Sequence, residues 1–160
     1  MDHSHHTNHP QHGDMAVSAT LHCLTGCALG EITGLVIGTL LGLSVGWTIF
    51  LAVALAFVFG FSLSTIPLLR AGLGFGAALS IVAAADTLSI AVMEVVDNLV
   101  MLAVPGAMDA GLVNPVFWLA MPLALTAAFF AALPVNRYLL SRGRGHALTM
   151  NALSHNGHRH

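Results

Sequence analysis

The chain has 160 residues, of which 56% are hydrophobic and 8% charged, and it contains no Lys. A soluble domain carries about 25% charged residues, so the composition excludes an ordinary water-soluble fold and points into a bilayer. The net charge of −2 is uninformative where charge is scarce, and Arg70, Arg137, Arg142, Arg144 and Arg159 form no basic patch interleaved with aromatics, which excludes nucleic acid as a partner.

The first sixteen residues hold His3, His5, His6, His9 and His12 and little that is apolar. A disordered, His-rich tail is expected there. With no Lys or Arg it lacks the basic region of a signal peptide. LTGC, ending at Cys27, has the look of a lipoprotein cleavage box. The apolar stretch before it is too short and the chain after it too apolar for that reading.

Four stretches are long and apolar enough to span a bilayer, which takes about 20 residues each. They are expected at 17–42, 47–69, 76–104 and 115–139, and as helices, because the apolar runs are long and do not alternate. The expected fold is therefore all-α: a four-helix transmembrane bundle over residues 17–140 with disordered His-rich termini, 1–16 and 141–160. Pro67, Pro105 and Pro115 fall at or near ends, where a missing N–H is easily accommodated. Pro122 falls in the first turns of the fourth span, and Pro134 is expected to kink or stop it.

In the first span Gly26, Gly30, Gly34, Gly38 and Gly42 recur every fourth residue. On a helix this makes a smooth groove for close approach of a second backbone, and a homo-oligomer through that groove is expected. Cys23, Cys27 and Glu31 share a face at its edge. Helical cysteines four apart have poor geometry for a disulfide. With His22 adjacent, they are candidate soft-metal ligands. Small buried cysteines also serve simply as packing. A carboxyl in mid-membrane, however, is expensive and marks a functional position.

In the third span, ADTLSIAVMEVVDNLVM places Asp86, Met93, Glu94, Asp97 and Met101 within an arc of roughly 100° on a helical wheel. Thr87 and Asn98 lie at the edge, and Leu88, Val92, Val95, Leu99 and Leu102 are opposite. No Arg or Lys lies within the spans to pair with these acids, so they must be protonated, hydrated or bound to a cation. Beyond this helix, PGAMDAGL sets Met108 and Asp109 at one mouth of the bundle.

Arg70 and Arg137 to Arg144 lie on one side of a four-span topology and only Asp109 on the other. The positive-inside rule then makes both termini cytoplasmic, and Trp47 and Trp118 fall near the opposite interface, as indoles prefer. His146, His155, His158 and His160 end the chain.

LHCLTGCALGE, ADTLSIAVMEVVDN, PGAMDAGL and PVNRYLLSRGRGH together resemble a family of small bacterial integral membrane proteins known only as a domain of unknown function. The resemblance covers roughly residues 20–147. It implies a multi-pass protein of the bacterial inner (plasma) membrane, and it supplies no activity or site residues.

The expected function is binding or transport of a transition-metal cation, copper first, with His22, Cys23, Cys27, Glu31, Asp86, Met93, Glu94, Asp97 and Met101 as candidate ligands. Thiolate and thioether suit Cu(I), while imidazole suits Cu, Zn and Ni. One alternative is a proton- or monovalent-cation-coupled carrier in which the carboxyls act and the thiols pack. Another is a non-transporting accessory of a larger membrane complex. Enzyme activity is not expected, since the body has no Ser–His–Asp arrangement, phosphate loop or haem-attachment motif.

Overall fold

The computed structural model describes residues 9–70 and 72–141. They form four helices: α1 (His9–Leu40), α2 (Val45–Arg70), α3 (Phe75–Ala103) and α4 (Pro115–Ser141). All four contain stretches long and apolar enough to cross a membrane, beginning in α1 at Ala16. The chain is an all-α, multi-pass membrane protein.

One boundary differs from expectation. α1 starts at His9, so residues 9–16 are helical where a disordered tail was expected. Pro10 sits in its first turn, where the missing N–H would have had no partner in any case. Pro134 does not end α4, which continues to Ser141; membrane helices absorb an internal Pro when neighbours and side chains satisfy the freed carbonyl. The expected disorder of residues 1–8 and 142–160, with their histidines, lies outside the described residues.

The first two connections are tight turns. Gly42 (φ 63°) turns the chain between α1 and α2, and Gly72 (φ 88°) turns it between α2 and α3. Asn114 caps α4, its Oδ1 accepting a hydrogen bond from the Val116 N–H at 3.0 Å. Pro115, the first residue of α4, needs no such acceptor.

The glycine stripe has an internal partner. A Cβ built on Gly26 would meet the Gly60 backbone, one on Gly30 the Ala56 backbone, one on Gly34 the Ala52 backbone, and one on Gly38 the Thr48 side chain. As the α1 position climbs by four, its partner falls by four, so α1 and α2 run antiparallel in fixed register. Without a hydrophobic force between helices in lipid, this backbone-to-backbone packing supplies dispersion contact that larger residues would prevent. The expected homo-oligomer through this groove is corrected accordingly: α2 of the same chain fills it. Gly42 is not part of it, being a turn residue with nothing within 4 Å of its Cβ position.

α3 packs chiefly on α4, which turns Ala120, Ala124, Ala128 and Ala132 inward at the same four-residue spacing. α1 and α3 also touch across the bundle, and they run parallel. Cys23 lies beside Ser89, Cys27 against Met93 and Glu31 against Asp97, a constant offset of 66 positions. This diagonal is the centre of the molecule. Leu88, Val95, Leu99 and Leu102 of α3 face outward, 50–68% exposed, as an apolar surface for lipid.

Candidate functional site: carboxyls at the floor of a one-sided cavity

The α1–α3 diagonal stacks its chemistry by depth. At the end shared by the start of α1 and the end of α4, Asn136 Nδ2 donates to Thr20 Oγ1 at 2.8 Å, and Thr20 Oγ1 donates to the Ala16 carbonyl at 2.7 Å. Both side chains are buried. This closes the arginine-bearing end with a satisfied polar contact, which costs little to bury.

The next layer is apolar. Cys23, Cys27, Ile90 and Met93 form a buried cluster with Ala56, Ala128 and Ala132, and Phe57 and Phe61 pack against it. Ile90 Cδ1 occupies the place a Cβ on Gly60 would need, 2.7 Å from it. The Cys27 thiol is directed at Met93 Sδ, 4.0 Å away, and the Glu94 carboxyl lies alongside. Both cysteines are free and 2% exposed.

Above this layer sit the acids. Glu31 of α1 and Asp97 of α3 face each other, close enough to hydrogen-bond when one of them carries a proton. Glu94 is one turn deeper on α3. Glu94 and Asp97 are 4% and 5% exposed. Among the described residues, neither carboxyl oxygen of Glu94 has a hydrogen-bond partner, nor has Glu31 Oε1 or Asp97 Oδ1. Buried polar atoms in this state are uncommon and call for a ligand, a proton or water. The adjacent Asn98 Nδ2 donates to the Glu94 main-chain carbonyl at 2.8 Å.

These three carboxyls form the floor of a cavity of about 440 Å³. Its walls come from α1, α2 and α3 with Phe117 of α4, and the α1–α2 turn and the segment 107–111 also line it. From Gly42 at the rim to Glu31 at the floor is roughly 16 Å along the helix axis. Met101 lies in the wall, and Met108 and Asp109 near the mouth. The cavity therefore opens at the end remote from Arg70 and Arg137, while the thiol layer and the Thr20–Asn136 contact close the other end.

Seven of the nine candidate ligands named from sequence fall into two groups. Glu31, Glu94, Asp97 and Met101 reach the cavity; Cys23, Cys27 and Met93 lie beneath it in the apolar layer. Asp86 is buried near Cys23. His22 is half-buried on α1, and its Nε2 has no hydrogen-bond partner. Among the described residues, no three His, Cys, Asp or Glu side chains converge in a group able to hold a metal ion.

The family described as domain of unknown function (DUF4396) matches residues 14–145. The chain belongs to that family. The matched DUF4396 region contains all four spans and every residue of the cavity floor. No curated protein and no solved structure matches the chain.

Sequence reasoning missed Ser89, fully buried beside Cys23, and the Thr20–Asn136 pair. Ser89 was findable, since it follows Asp86 by three residues and shares its face. Asn136 was not, because its partner Thr20 is 116 residues away and no local pattern links the two. Phe117, which lines the cavity, gave no signal among the other aromatics of its helix.

Proposed function

We propose that this protein is a membrane carrier whose intramembrane carboxyls Glu31, Glu94 and Asp97 bind a proton or a monovalent cation that reaches them through the cavity. The observation carrying this reading is the meeting of Glu31 with Asp97 at the cavity floor, with unpartnered carboxyl oxygens on all three residues. Acids inside a membrane are costly, and those facing a bundle interior mark ion paths. In this reading the arginines are cytoplasmic, by the positive-inside rule, and the cavity opens to the outside. The membrane is the bacterial inner membrane that the sequence resemblance implies. If the protein forms an oligomer, it uses a face other than the glycine groove.

The test is pH-gradient dissipation in proteoliposomes driven by a Na⁺ or K⁺ gradient. Wild-type protein should move protons against the cation. Asp97→Asn and Glu31→Gln should abolish the exchange, while Cys27→Ser leaves it near normal. Wild-type rates in both carboxyl variants would refute the carrier.

The contact of Cys27 Sγ with Met93 Sδ favours a second reading, a soft metal ion such as Cu(I) held between thiolate and thioether. It comes second because, among the described residues, no three His, Cys, Asp or Glu side chains are grouped so as to hold a metal ion. Copper retained at about one per chain after the His tails are removed, and lost in Cys27→Ser, would reverse the order of the two readings.

A further inference from the structure

We infer that the cavity is a binding site for an organic monovalent cation, its ammonium group set against Glu94 and Asp97 and its apolar body against Leu35, Ile49, Met101 and Phe117. The inference rests on the proposed function's reading of the carboxyls as a cation site, and it names the class of cation. Three observations carry it.

The first is size. A cavity of about 440 Å³ lies in the range of small-molecule sites, roughly 300–1,000 Å³, and far exceeds what a bare inorganic ion fills. The second is lining. Glu31, Glu94, Asp97 and Asp109 face the space, and among the described residues no Arg, Lys or His does. An anion is thereby excluded and a cation attracted. The rest of the wall is mainly apolar, with Phe117 and two methionines offering a polarizable surface to a cationic group. The third is the state of the floor. Glu94 is 4% exposed with both carboxyl oxygens unpartnered, and it borders the cavity. A divalent metal ion would need several oxygens brought round it, and among the described residues no group of three acids is so arranged. An alkylammonium needs less: one or two carboxylates on one side and apolar contact on the others. That is the division of surfaces seen here.

The chemistry distinguishes this ligand from a neutral apolar compound by charge and from a small cation by its body. Full-length protein in lipid nanodiscs is titrated calorimetrically with benzyltrimethylammonium, with tetramethylammonium, and with neopentylbenzene, the neutral isostere in which carbon replaces the charged nitrogen. Benzyltrimethylammonium should bind, tetramethylammonium at least tenfold more weakly, and neopentylbenzene not measurably. Glu94→Gln should weaken benzyltrimethylammonium at least tenfold. Ile49→Trp narrows the cavity without altering a carboxyl, and it should weaken benzyltrimethylammonium more than tetramethylammonium. Its thermal unfolding, measured alongside, reports that the fold is retained. Equal binding of the neutral isostere overturns the inference, as does equal affinity for the two ammonium ions. Absence of benzyltrimethylammonium binding while Na⁺- or K⁺-driven proton exchange persists and depends on Asp97 overturns this inference and leaves the carrier standing. Loss of both overturns the two together.

Discussion

Replacing Gly34 by Ala tests the α1–α2 packing directly. The new Cβ would lie 2.5 Å from Ala52 Cα, 2.7 Å from Ala52 Cβ and 2.8 Å from Ala52 N. Carbon atoms in contact sit about 3.5–4.0 Å apart, so the two backbones must separate locally by roughly 1 Å. Because two of the three obstructing atoms belong to the main chain, no rotamer change relieves the clash. A gap of that size also forfeits a quarter to a half of the dispersion well for neighbouring contacts. Overpacking of this kind costs about 1–3 kcal/mol. Ala is a better helix former than Gly by up to about 1 kcal/mol, which offsets part of the loss. Gly46→Ala is the control, since nothing lies within 4 Å of its Cβ position. Equilibrium unfolding in detergent micelles, followed by tryptophan fluorescence, should show Gly34→Ala clearly destabilised and Gly46→Ala unchanged or slightly more stable. Ala52→Gly in the Gly34→Ala background should restore only part of the loss, since it removes one obstructing atom. Equal midpoints for Gly34→Ala and Gly46→Ala would refute the account of the groove.

Val113 is 99% exposed in the α3–α4 connection, so Val113→Cys should react with an impermeant maleimide in intact cells; reaction only after lysis would reverse the proposed orientation. Asn136→Ala should cost about 1–2 kcal/mol, since it removes the donor to Thr20 inside a buried layer. Stability equal to wild type in the same unfolding assay would show that this contact does not hold the closed end. Leu99→Ala, on the outward face of α3, should leave unfolding in micelles almost unchanged, while Ile90→Ala, fully buried against Gly60, should cost about 2–5 kcal/mol; similar losses for the two would contradict the assignment of inner and outer faces.

The spans were legible because long apolar runs admit one structure in lipid: helix ends at 69 and 104 were expected where Arg70 and Ala103 are observed. The inner face of α3 was legible too, because three acids and four outward aliphatics divide one helical wheel cleanly. The partner of the glycine groove was not. A smooth stripe states that some backbone comes close, without saying whose. Yet α2 carried the answer at matching spacing, in Thr48, Ala52, Ala56 and Gly60. Those residues are small and chemically plain, and among aliphatic neighbours they drew no notice. The alanines of α4 escaped for the same reason. The pairing of Glu31 with Asp97 depends on the relative height of two helices separated by the whole of α2, and no local pattern encodes that offset.

The arrangement of chemistry along the diagonal follows from how closely each helix pair can approach. Glycines bring α1 against α2, and alanines let α3 lie against α4, so the two sequential hairpins hold the most extensive contacts. Between hairpins, contact is sparser and made by longer side chains: Met93 on Cys27, Asp97 on Glu31, Ile90 over Gly60. Where apolar groups and thiols fill that seam, it is closed. Where α1, α2 and α3 diverge toward Gly42, it is a cavity, and the carboxyls stand at the change from one to the other. Between α1 and α2 the packing is backbone on backbone at Gly26, Gly30 and Gly34, whereas the hairpins meet at the closed end through the Asn136–Thr20 hydrogen bond and the buried cluster around Cys23, Cys27, Ile90 and Met93.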